Sequence, residues 1–104
     1  MMAKLHEIAH SRAGDKGNTL ILSLIPFDEN NYALLQKAVT AEKVKQHFKD
    51  VIQGDIVRYD LPNIKAFQFV CQQALAGGVT TSLVMDTHGK TMSYALLEME
   101  IDMP

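Results

Sequence analysis

One cysteine, Cys71, is all the thiol that the 104 residues contain. A single thiol excludes an internal disulfide and a cysteine-rich zinc centre, and it fits a reducing compartment. No apolar run approaches the roughly 20 residues that cross a bilayer. The first residues, Met1 to Glu7, lack the apolar stretch of a signal peptide. These absences set the expectation of a cytoplasmic protein. Lys and Arg form no run, and the net charge is -2. Nucleic acid is therefore excluded as the main partner, because phosphates call for a clustered basic excess. Linkers, repeats and low-complexity tracts are also missing, which predicts one domain over residues 1–104. The chain is 47% hydrophobic and 21% charged, an ordinary globular balance that supports a core without staples.

What is present centres on His10-Ser11-Arg12-Ala13-Gly14-Asp15-Lys16-Gly17-Asn18, a polar stretch between two apolar ones. The region before it, Lys4 to His10, reads as a short strand. The region after it, Leu20 to Ile25, reads as a strand covered on both faces and stopped by Pro26. Asp28 or Asn30 can cap a helix through about Ala38. Thr40 can cap a second from Ala41 to about Gln53, with Gly54 as its left-handed terminator. Asp55 to Leu61 alternates as a half-buried strand. Pro62 stops it and Asn63 can cap a third helix carrying Ile64, Phe67, Val70, Cys71 and Ala74, ended by Gly77-Gly78. Ser82 to Asp86 and Thr91 to Ile101 then read as a hairpin around Thr87-His88-Gly89-Lys90. The apolar phase shift between Leu96 and Leu97 fits a bulge; a helix is the rival reading, and the hairpin signal favours the strand. The order β-β-α-α-β-α-β-β predicts an α+β two-layer sandwich with helices on one face of a mostly antiparallel sheet.

Three polar stretches can carry chemistry. Backbone N–H groups from Gly14 to Asn18, flanked by Arg12 and Lys16, can cradle an anion. The same residues can also be a plain turn. No Gly-Lys-Ser/Thr ending follows, so this is not a nucleotide-binding loop of that kind. Arg58 with Asn63 can hold an anion at a strand end, or can simply pair with Asp60 or Asp55 and cap a helix. Asp86, His88 and Lys90 can supply acid, base and charge, or only a turn. Asp15 and Asp86 are the candidate catalytic bases. His6, His10 and His47 have no metal-ligand spacing, so no metal and no cofactor are expected. Cys71 sits in an apolar stripe and reads as inert core.

Taken together, Ser11 to Asn18, Arg58 to Phe67, Gly77-Gly78 with Ser82-Leu83, and Asp86 to Lys90 resemble the AtuA-like ferredoxin-fold domain, where AtuA stands for acyclic terpene utilisation. The resemblance runs from about Ala9 to Pro104. It implies a ferredoxin-like fold, a setting in acyl-CoA and terpenoid breakdown, and a larger AtuA-type subunit as partner. Ala13 stands where a serine is expected. The element order departs from a simple βαββαβ unit, so an extra leading strand or a variant connection is required. The functional expectation is a binding or accessory subunit that holds an anionic group with Arg12, Gly14, Asp15, Lys16, Gly17, Asn18, Arg58, Asn63 and Lys90 in one cationic hollow. The alternatives are a small enzyme acting on an acyl-CoA or oxoacid, and a structural homo-oligomer covering an open sheet face bearing Ser23, Ile56 and Met92.

Overall fold

The computed structural model describes residues 2–16, 19–49, 52, 54–72 and 88–103; for 15, 16 and 88–91 it describes the backbone alone. Its strands are β1 (Met2–Lys4), β2 (Ala9–Lys16), β3 (Thr19–Pro26), β4 (Ile56–Leu61), β5 (Ala66–Cys71) and β6 (Glu100–Asp102). Its α-helices are α1 (Tyr32–Ala38), α2 (Ala41–His47) and α3 (His88–Leu97). The main sheet has the order β2-β3-β5-β4 and is antiparallel throughout. β1 and β6 form a separate antiparallel pair.

The variant connection that the sequence demands is visible here. β3 and β4 run parallel with β5 between them, and α1 and α2 make the crossover. That is the split β-α-β of a ferredoxin-like sheet. The position beside β3 is filled by the leading strand β2.

Leu20, Leu22 and Leu24 of β3, with Phe67, Phe69 and Cys71 of β5, point to one face and are wholly buried. Leu35 of α1, Val44 of α2 and Leu96 of α3 close the core above them. The opposite face bears no described helix. It carries His10 and Arg12, Ile21, Ser23 and Ile25, Gln68 and Val70, and Val57 and Tyr59.

Several expectations need correction. The stretch before and through the glycines is not a strand followed by a loop. Leu5 is buried and its N–H donates to Met99 O at 2.9 Å, so the chain turns at Leu5–Glu7 and only then begins β2. β2 is paired with β3 along its whole length, from Ala9 with Pro26 to Lys16 with Thr19. Its core-facing residues Ala9, Ser11 and Ala13 are small because α3 packs chiefly on β2. That smallness removes the hydrophobic alternation by which strands are read.

The third helix is instead β5. Phe67, Phe69 and Cys71 repeat every second residue, and pairing with β3 and β4 overrides the weaker helical spacing. The last strand is instead α3. Met92, Ser93 and Leu96 are buried at helical spacing, and the shift at Leu96–Leu97 is that helical phase. Only Glu100–Asp102 remains a strand.

The second helix ends at His47, with Phe48 and Ile52 buried in the turn that follows. Gly54 is not a left-handed terminator. A Cβ there would lie 2.4 Å from Gln72 O, so the glycine is needed for close backbone approach. The Thr40 cap of α2 forms, with Oγ1 accepting from Lys43 N at 3.1 Å. Neither Asp28 nor Asn30 caps α1: Asp28 accepts from Asn30 N at 2.9 Å and caps the 3-10 turn Glu29–Asn31, and the N-cap of α1, Asn31, makes no side-chain bond. The predicted Ser82–Asp86 strand, Thr87 and Gly77-Gly78 lie outside the described residues.

Candidate functional site

The register fixes where the two candidate arginines stand. Arg12 pairs with Ser23, Ser23 with Gln68, and Gln68 with Tyr59. Arg58 pairs with Phe69, Phe69 with Leu22, and Leu22 with Ala13. Residues directly opposite in antiparallel strands share a face, and chain neighbours take opposite faces. Arg12 therefore projects from the open face at one edge of the sheet. Arg58 projects from the helix-covered face at the other edge. The single cationic hollow expected around Arg12, Arg58 and Lys90 does not bring these two together. Lys90 lies in the first turn of α3.

Arg58 is occupied by the fold. Its Nε donates to Asp60 Oδ1 at 2.7 Å and its Nη2 to Asp60 Oδ2 at 3.3 Å. Its Nη1 donates to the carbonyls of Gln36 and Val39 at 2.7 and 3.0 Å, closing the C-terminal end of α1. Gln36 Nε2 adds a bond to Asp60 Oδ2 at 2.9 Å. The guanidinium lies 5.3 Å from the Phe67 ring centre, and Tyr32 stacks on Phe67 at 4.6 Å. Lys65 lies 5.4 Å over Tyr32 and adopts φ 53° in the turn that joins β4 to β5. Asn63 is exposed in that turn and caps no helix. The Arg58 to Phe67 stretch thus ties the β4–β5 hairpin to α1.

The Tyr32 hydroxyl is buried with no hydrogen-bond partner among the described residues. Burial, then the Asp60 carboxylate, push its phenol above the ordinary range, and Arg58 pulls the other way.

Arg12 is the opposite case. It is exposed and makes no hydrogen bond or ion pair among the described residues. Gly14, two residues on, is also exposed, and a Cβ there would meet nothing within 4 Å. Asp15 and Lys16 pair through their backbones with Leu20 and Thr19. Gly17, Asn18 and Asp86 lie outside the described residues. Of the residues expected on the open face, Ser23 is there; Ile56 and Met92 are buried in the core.

One row along from Arg12, Ser23 and Gln68 the open face is apolar. Ile21, Val70 and Val57 form one row, and Val57 and Tyr59 are 45% and 53% exposed. No Asp or Glu occupies a position of this face within the described strands. His10 stacks on the exposed Phe27 at 5.6 Å at its end.

A separate open groove of about 360 Å³ is lined by Ala33, Leu34, Lys37 and Asp102. None of the candidate residues lines it. Among the described residues no three His, Cys, Asp or Glu side chains converge as a metal site requires. Cys71 is buried, and desolvation pushes its thiol up to about 12, the setting of an unreactive core cysteine. No helix among the described residues is long and apolar enough to cross a membrane.

The family model of the AtuA ferredoxin-like domain matches residues 3–102. No curated protein and no solved structure matches the chain.

Proposed function

From the premise that the chain belongs to the AtuA ferredoxin-like domain family, we propose that it acts as a binding or accessory subunit whose open sheet face holds an anionic group on Arg12. A larger AtuA-type subunit is the partner this reading expects, and an acyl-CoA or terpenoid-type carboxylate is the chemical class of the group. The observation that carries it is the contrast between the two arginines. Arg58 spends its guanidinium on Asp60 and two α1 carbonyls. Arg12 keeps its own free, beside an apolar row and on a face whose described strand positions hold no carboxylate. A guanidinium so placed can grip a carboxylate or phosphate with two parallel bonds while the apolar row takes the attached chain.

The earlier set of ligand residues is narrowed accordingly. Arg12 with the β2 backbone at Gly14 to Lys16 forms the proposed site, Gly17 and Asn18 lie outside the described residues, and Arg58 and Asn63 belong to the scaffold. The enzymatic reading, with Asp15 or Asp86 as general base, has no observed geometry behind it and is not adopted.

Calorimetric titration with a medium-chain acyl-CoA and with the free carboxylate tests the proposal. Arg12→Ala should weaken binding by about 1.5–3 kcal/mol, the worth of a charged hydrogen bond. Unchanged affinity in Arg12→Ala removes it.

A further inference from the structure

We propose that the open sheet face is covered by a second copy of this chain, related by a two-fold axis parallel to the strands. A two-layer α+β domain buries only one face of its sheet, and here the other face carries an apolar row, Ile21, Val70 and Val57, beside the neutral polar pair Ser23 and Gln68. Its size suits a dimer. Four strands about 4.8 Å apart, each of six to eight residues at about 3.3 Å, give about 400–500 Å² of flat face per copy. Two such faces bury about 800–1,000 Å², the size of a weak, concentration-dependent pair.

The registers choose the axis. Two copies packed face to face about an axis across the strands would set β2 on the partner's β2, whose described positions on this face, His10, Arg12 and Gly14, offer Arg12 neither a carboxylate nor a tyrosine ring. An axis along the strands reverses the strand order of one copy over the other. Each row of the sheet then meets its own reverse. The row Arg12–Ser23–Gln68–Tyr59 sets Arg12 over the partner's Tyr59 and Ser23 over the partner's Gln68. The row Gly14–Ile21–Val70–Val57 sets Ile21 over the partner's Val70 and the smallest residue, Gly14, over the half-exposed Val57. Cation meets aromatic ring, hydroxyl meets amide, apolar meets apolar, and the gap at Gly14 meets a protruding side chain. The pairing stands without the anion reading above. One consequence rests on that reading: a guanidinium stacked on the partner's Tyr59 is held still, with its in-plane N–H fork free for an anion, so the second copy completes the site.

Sedimentation of the purified full chain should show a dimer at tens of micromolar. Val57→Glu and Tyr59→Arg, the second setting like charges on each other at Arg12, should raise the dimer dissociation constant tenfold or more, with the circular dichroism of the folded chain retained. Crosslinking tests the axis without those variants. Gly14→Cys and Val57→Cys chains, mixed and treated with a bismaleimide matched to the roughly 10 Å between stacked sheets, should link 14 to 57. Each variant alone should not link to itself, and the buried Cys71 should stay unlabelled. A monomer at 100 μM, a dimer indifferent to both substitutions, or 14–14 and 57–57 links would each overturn the proposal. Anion affinity unchanged by Arg12→Ala, with the dimer intact, would instead remove the anion reading alone.

Discussion

Arg58 and Asp60 stand two residues apart on β4, on the same face of the strand, and their side chains meet edge to edge at 2.7 Å. Both are half-buried. The pair anchors the hairpin to the end of α1 rather than offering a cation to a ligand.

Arg58→Ala should therefore destabilise the fold by about 2–3 kcal/mol, because it strands Asp60 and two helix carbonyls at once. Arg58→Lys should recover little, since one ammonium cannot reproduce the fork. Urea denaturation measures both. Arg12→Ala should shift the same curve by no more than about 0.5 kcal/mol, as an exposed side chain without partners does. Equal losses for the two would contradict the assignment of scaffold and site.

Gly54 and Gly14 make a second contrast. Gly54→Ala forces a Cβ against Gln72 O, a backbone atom that cannot swing away, and should cost about 2 kcal/mol or more. Gly14→Ala should be neutral or slightly stabilising, because the space is open and glycine weakens a strand. Thermal melts of the two variants separate these outcomes.

Tyr32→Phe keeps the stack on Phe67 and removes a buried hydroxyl without a partner. Stability should be unchanged or higher by up to about 1 kcal/mol. A clear loss would reveal a bond to that hydroxyl.

Cys71 supplies a pH signature. Its folded thiol is pushed up to about 12 from 9.0. The folded state keeps the proton that the unfolded chain gives up, so this contribution to stability is whole below pH 9 and is lost as pH rises towards 12. The raised Tyr32 phenol acts in the same direction. Denaturation midpoints should fall across that range, and a disulfide reagent at pH 8 should label Cys71 only after unfolding.

The sequence displays the architecture wherever large side chains keep a strict period. The alternation of Asp55 to Leu61 marks its strand, and Asp28 and Thr40 mark their turns into helix. Leu20 to Ile25 marks a strand too, but the unbroken run reads as covered on both faces, whereas β3 buries only Leu20, Leu22 and Leu24 and turns Ile21, Ser23 and Ile25 to the open face. The family is legible too, through Arg58-Tyr59-Asp60-Leu61-Pro62-Asn63. β2 escapes because Ala9, Ser11 and Ala13 are small under α3, a tertiary fact that no local pattern carries. β5 and α3 escape because Phe67, Val70 and Cys71, or Met92, Tyr94 and Leu96, satisfy two periods at once, and only the neighbouring strands decide between them. Nor does spacing alone distinguish the roles of the arginines. Arg12 and Arg58 differ in which face of one sheet each occupies, and that parity is set by pairing across β3 and β5.

The β1–β6 pair sets Met2 opposite Asp102. Entry to and exit from the domain therefore lie side by side, on a pair of strands separate from the main sheet. A polypeptide fused at either end leaves from one spot and adds no strain to β2–β5. A permuted chain, with those ends bridged by a short linker and new ends opened elsewhere, should keep the same sheet.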